Sequence, residues 1–166
     1  ASTTAAPHYG THMLNQAALY AEADLSVVMG VMVIPSNRKN RVAIRATWGA
    51  LSLPRMLVRF VAGDVPCARA AMAADQRDYG DCVFVASKDC SKLHSPAKVH
   101  AWFNYAVERW PTVPWIGKME DDGVLWPSAL LTDLDSLPPH AALQPSYVGI
   151  MQWHGSCSLA DADGGA

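Results

Sequence analysis

The stretch Val27-Val28-Met29-Gly30-Val31-Met32-Val33-Ile34 settles more about the fold than any other part of the sequence. It has no polar face, so neither side of it can rest against water. It is also far shorter than the roughly 18 to 20 residues needed to cross a bilayer. An unbroken apolar run of strand length is what a β-strand covered on both faces requires, and such strands belong mainly to parallel sheets whose faces are covered by helices. Pro35-Ser36-Asn37 then supplies turn and N-cap chemistry, and a helical stretch carries Val42, Ile44 and Trp48 toward Gly49, placed as a C-terminal cap.

The same alternation recurs along the chain. Met56 to Ala62 reads as a second strand closed by Gly63-Asp64, and the alanine-rich Cys67 to Arg77 as a helix. Tyr79-Gly80-Asp81 turns the chain into a third strand, Cys82 to Ala86. Ser95 and Pro96 open a helix that Pro111 stops, with Val99, Trp102, Phe103, Ala106, Val107 and Trp110 forming one apolar face, assigned to the core. Trp115 to Met119 is the fourth strand, Pro127 starts a helix bearing Leu130, Leu131, Leu134 and Leu137 that ends at Pro138-Pro139, and Tyr147 to Met151 is a fifth strand. This β-α-β-α-β-α-β-α-β order predicts an α/β/α sandwich with a mainly parallel sheet, whose ligands bind beyond the carboxyl ends of the strands. Residues 1–24, with a modest helix over Met13 to Ala23, read as an N-terminal stalk or edge segment, residues 25–153 as the domain, and 154–166 as a disordered tail.

At 166 residues, 51% hydrophobic and 17% charged, the chain has the size and composition of one globular domain. A net charge of −2 argues against a nucleic-acid binder that neutralises many phosphates. Cys67, Cys82, Cys90 and Cys157 have no C-x-x-C spacing, which argues against a zinc site, and their count does not reveal any pairing. The chain opens on Ala1 without an initiator methionine, so a targeting segment upstream is compatible with it.

The fourth strand runs directly into Glu120-Asp121-Asp122. Three adjacent carboxylates at the end of a buried strand repel one another and lose hydration, a cost that a hard divalent cation such as Mg²⁺ or Mn²⁺ removes. A metal held by one or two protein carboxylates keeps positions open for phosphate oxygens and stabilises a diphosphate leaving group as its charge builds. Arg38, Lys39, Arg41 and Arg45, directly after the first strand, suit the same anion, although their spacing alone describes a solvated helix face. Lys98, near the start of its helix, is a further candidate for an anion contact.

With those residues in place, the sequence resembles the β1,3-galactosyltransferase-like hexosyltransferases. Arg41-Val42-Ala43-Ile44-Arg45-Ala46-Thr47-Trp48-Gly49 is similar to their R-x-x-I-R-x-T-W-G signature. Phe60-Val61-Ala62-Gly63, Tyr79-Gly80-Asp81-Cys82-Val83 and Lys118-Met119-Glu120-Asp121-Asp122 resemble, in order, the strand ending in glycine, the Y-x-D segment and the K-x-D-D-D metal motif. Lys98 falls near the lysine of their L-T-x-K-T element, from which His94-Ser95-Pro96-Ala97 departs.

The resemblance covers Val27 to Met151. It implies a GT-A-like fold, a UDP-hexose donor bound with Mn²⁺ (or Mg²⁺), and inverting transfer of galactose or N-acetylglucosamine to a glycan or glycoprotein acceptor. It also implies the lumenal side of the Golgi membrane, reached through an anchor that this chain does not contain. Carried over by position, Asp122 is the direct metal ligand, with Glu120 replacing the usual first aspartate as a second candidate. Arg41, Arg45, Lys98, Glu120 and Asp121 form or brace the donor pocket.

The family's general base and much of its acceptor site come from a region C-terminal to the strand resembling Tyr147 to Met151. Asp161 and Asp163 lie in a small-residue tail, so no catalytic base is assigned. Two other readings remain at this point. One is a truncated donor-binding module that transfers nothing; the other is a Mg²⁺-dependent phosphatase or nuclease, which would need further carboxylates such as Asp64 and Asp89.

Overall fold

The structure, a computed structural model, describes residues 24–50, 55–90, 95–138, 141 and 144–149. Along them run β1 (Val27–Met32), α1 (Arg38–Ala46), a short 3-10 turn (Trp48–Ala50), β2 (Met56–Gly63), α2 (Pro66–Tyr79), β3 (Cys82–Val85), α3 (Pro96–Arg109), β4 (Trp115–Glu120) and α4 (Pro127–Asp135). The strands form one sheet in the order β3-β2-β1-β4, and every neighbouring pair is parallel.

This order decides where the helices go. The chain steps from β1 to β2 to β3 in one direction, then returns across the sheet to lay β4 on the free side of β1. Right-handed crossovers therefore put α1 and α2 on one face and α3 on the other. The core divides accordingly. Val27, Val31, Phe60 and Ala62 pack with Ile44, Trp48, Ala68, Met72, Leu131 and Leu134 on the first face. Val28, Met32, Val61 and Val83 pack with Trp102, Ala106 and Trp110 on the second. All six residues of β1 are buried, as its unbroken apolar run requires, and all eight of β2 are buried too, including Arg59, whose Nη1 donates to Val58 O at 2.9 Å.

Local signals set the helix ends. Ser95 Oγ accepts from the Lys98 amide at 3.4 Å and Pro96 takes the first position of α3. Gly80 closes α2 in the left-handed region at φ 64°. Gly49 is not the expected cap: α1 stops at Ala46, and Gly49 lies against Ile44, where a Cβ would meet the carbonyl oxygen at 2.8 Å. The apolar face of α3 is narrower than its sequence predicts. Trp102, Ala106 and Trp110 are buried, while Phe103 and Val107 are exposed, because among the described residues one helix covers that face and meets it along a single line.

The expected fifth strand does not appear in Tyr147-Val148-Gly149, where Tyr147 is exposed; residues 150–151 lie outside the described residues, as do the helix expected over Met13 to Ala23 and the tail 154–166. Cys67 at the start of α2 forms a disulfide with Cys90 after β3, a pairing the cysteine count could not supply. Cys82 is a buried free thiol whose pKa is pushed up to about 12 by burial, with the Asp81 charge adding to it.

Trp102 clamps the centre of the sheet. Its indole donates to Gly117 O at 3.0 Å and covers Gly30, where an added Cβ would lie 2.3 Å from the ring. Gly30→Ala is therefore expected to push a fully buried indole off its seat and destabilise the fold by about 2–3 kcal/mol in urea unfolding.

Candidate functional site

β1 lies between β2 and β4 with Met32 opposite Glu120, so the segments Val33–Pro35 and Asp121–Asp122 leave the sheet side by side. The strand order reverses between these two strands, and beyond their carboxyl ends lies the crevice where open α/β sheets bind ligands. A cleft of about 540 Å³ occupies this end of the molecule. One wall is α1 and the turn after it (Asn40, Ala43, Ile44, Thr47 and Trp48); the other is the segment from Asp121 to Trp126.

Strand alternation separates the three acidic residues. Ile116 packs toward the α3 face and Met119 toward the α1 face, so Glu120 and Asp121 point to opposite sides. Glu120 pairs with Lys118 and is not among the cleft residues. Asp121 enters the cleft 4% exposed, with its Oδ2 accepting no hydrogen bond, and Asp122 enters it exposed. Burial raises the pKa of Asp121 above the usual carboxylate range and the Asp122 charge adds to this, whereas the Asn40 side chain, the Ile34 backbone and Arg41 oppose it. Asp121 is thus a carboxylate whose present neighbours do not fully compensate its charge.

The basic residues after β1 divide in the same way. Arg38 stays exposed, as a solvated helix face requires, but Arg41 and Arg45 turn inward. Arg41 Nε donates to Asp75 Oδ2 at 2.8 Å, and its Nη1 donates to Pro35 O at 2.9 Å and Ile34 O at 3.4 Å. Arg45 donates to both oxygens of Asp81 at 2.8 and 2.9 Å and to Asp75 Oδ1 at 3.1 Å. Its guanidinium lies 4.0 Å from the Tyr79 ring centroid and 4.7 Å from that of Phe60. Neither arginine lines the cleft; Arg41 holds the backbone that borders it. Lys98 is also fully buried and donates to Val33 O at 3.1 Å, with Asp89 as its ion-pair partner at 3.4 Å.

Asn40, Thr47, Trp48 and Trp126 join the cleft without having been singled out in the sequence as site residues. The available signal was helical spacing: Asn40 and Ala43 share one face of α1, and Thr47 follows at the same spacing just past its end. Among the described residues no group of three His, Cys, Asp or Glu side chains converges as a metal site. The further carboxylates that a phosphatase would need are engaged elsewhere, Asp64 with Arg69 and Asp89 with Lys98 and Ser87.

A parallel sheet with helices on both faces and a carboxylate-bearing cleft at its strand-order reversal defines a doubly wound α/β protein. The galactosyltransferase family model matches residues 39–157, well over half of the chain, and the chain belongs to that family. No curated protein and no solved structure matches it.

Two predictions follow from these charges. Burial alone would raise the pKa of Asp75, but Arg41 and Arg45 hold it below the usual range. The stability this contributes is complete above the unfolded carboxylate pKa and is lost as pH falls through the folded one. Asp75→Asn should therefore cost about 3–5 kcal/mol at neutral pH and flatten the acid limb of a urea-unfolding series. Asp121 has the opposite sign. Its folded carboxyl holds a proton more tightly than the unfolded one, so the ionised group subtracts stability at neutral pH, and this loss shrinks as pH falls. Asp121→Asn should raise the stability of the metal-free protein by about 1 kcal/mol in thermal unfolding.

Proposed function

We propose that the cleft between α1 and the segment after β4 binds a UDP-hexose with a divalent cation, and that the chain serves hexosyl transfer to a glycan or glycoprotein. The observation that carries this reading is Asp121: a buried carboxylate with an oxygen accepting no hydrogen bond, aimed into a cleft at the end of the sheet. Two adjacent carboxylates beside open space suit Mn²⁺ or Mg²⁺, which bind through one or two protein oxygens and complete their shell with water and substrate phosphates. Asp122 and Asp121 would hold the ion, which supplies charge stabilisation to a departing diphosphate.

The chain's own residues then have distinct tasks. Asp122, exposed in the cleft, would meet a cation, and Asp121 would tie it to the end of β4. Arg41 and Lys98 brace the Val33–Pro35 backbone, while Arg45 locks α1 to β3 through Asp81. The apolar wall of Trp48, Val124, Leu125 and Trp126 offers planar and aliphatic surface to the uracil or the sugar. In an inverting transfer the acceptor hydroxyl attacks the anomeric carbon, its proton passes to a base, and UDP departs from the opposite face. Location at the Golgi lumen belongs to this reading; among the described residues no helix is long and apolar enough to cross a membrane.

A second reading, a donor-binding module without transfer, is favoured by one feature. Asp121 and Asp122 are the only carboxylates among the described cleft residues, so once both hold a cation no base remains there. Donor hydrolysis and acceptor-transfer assays separate the two readings, since turnover by this chain excludes the second.

Calorimetric titration of UDP is the direct test. Binding is expected with Mn²⁺, to be abolished by EDTA, and to weaken at least a hundredfold in Asp122→Ala. Metal-independent binding, or none by the folded protein, would remove the donor-site reading.

A further inference from the structure

Three successive carbonyls follow the end of β1, and two fully buried cations hold them: Lys98 binds Val33 O, and Arg41 binds Ile34 O and Pro35 O. On its other side this segment meets the acidic cleft: the Val33 amide donates to Val61 O of β2 at 3.1 Å, so the next amide, that of Ile34, faces the β4 side, where Asp121 follows the Met32–Glu120 pair. The Val33 carbonyl and the Ile34 amide are opposite ends of one planar peptide unit. Whatever fixes the carbonyl also fixes the direction of the amide. A cation on the carbonyl oxygen further polarises the unit and makes its N–H a stronger donor.

Lys98 is itself held at both ends. Ser95 caps the first turn of its helix, and Asp89 takes its ammonium group. Asp89 also accepts from Ser87 Oγ at 3.0 Å. The 87–89 backbone lies directly over Gly63, where a Cβ would stand 2.5 Å from Asp89 O and 2.6 Å from Ser87 O. The Cys67–Cys90 disulfide anchors the next residue to α2. The ammonium therefore sits at a fixed point under β1.

We propose that Lys98 is a positioning residue of the donor site: through the Val33–Ile34 peptide it aims and polarises the Ile34 amide at Asp121, and Asp89 holds it there. This departs from the sequence expectation of a donor contact, since Lys98 reaches the site through backbone, and it rests on the donor-site reading above.

The test uses Lys98→Met and Asp89→Asn, with Arg55→Ala as reference. Arg55 pairs with Asp135 at the opposite end of the sheet and lines no part of the cleft. UDP affinity with Mn²⁺ is measured by calorimetry, and the Ile34 amide by NMR hydrogen exchange in the metal-free protein. Lys98→Met is expected to weaken UDP binding about tenfold and to speed Ile34 exchange more than exchange within β1. Asp89→Asn should shift both readouts in the same direction by a smaller factor, and it carries the test if Lys98→Met does not fold. Arg55→Ala should lower the melting temperature and leave both readouts unchanged.

Folded Lys98→Met or Asp89→Asn with wild-type affinity and unaltered Ile34 exchange would overturn the proposal. Faster Ile34 exchange with unchanged affinity would overturn it too, because the peptide would then be fixed without serving the site. If the wild-type protein itself binds no UDP, the donor-site reading fails, and the positioning role fails with it.

Discussion

The architecture around the cleft depends on one buried carboxylate. Asp75, on α2, accepts from Arg41 and Arg45 of α1, and all three side chains are withdrawn from water. Without it, Arg41 would stand in the core without its carboxylate partner and Arg45 would keep Asp81 alone, a cost of several kcal/mol. With it, α1 is fixed against α2, and Arg45 goes on to engage Asp81 at the entrance to β3. An apolar cluster could fill the same volume and bury as well. It could not donate to the Ile34 and Pro35 carbonyls, so it would leave the backbone beside Asp121 without its brace.

The sequence made the frame legible because each element carries its own punctuation. The apolar run of β1, the largely apolar β2, Ser95-Pro96 before α3, Gly80 after α2 and Pro127 at the start of α4 all act within a few residues of themselves. The inward turn of Arg41 and Arg45 was not legible. Basic residues at helical spacing describe a solvated face, and what reverses that reading is a pair of aspartates contributed by α2 and the start of β3. The disulfide stayed hidden for the same reason, as pairing depends on where Cys67 and Cys90 meet in space.

The acidic stretch was legible as a strand running into charge, and the cleft contains Asp121 and Asp122. Its first member behaves differently, because alternate residues of a strand face opposite sides and Glu120 falls on the α3 side with Lys118. On the donor-site reading, the incomplete compensation of Asp121 has a use: a site that neutralised this carboxylate with its own donors would be more stable and less ready to accept a cation. Trp126 and Val124 carry a similar cost as large apolar side chains left in water on the cleft wall.

The reversal of strand order also governs assembly on the ribosome. β1 is the first of the described strands to be synthesised and lies inside the sheet, yet one of its edges is completed only when Val27 meets Trp115 at the start of β4. Throughout synthesis of β2, α2, β3 and α3 that apolar edge has unpaired amides and carbonyls and is open to pairing with any extended segment nearby. Pairing across so long an intervening chain is slow. The nascent polypeptide therefore carries an unpaired apolar edge until β4 emerges, and the segment that finally covers it is the one that brings the two cleft aspartates.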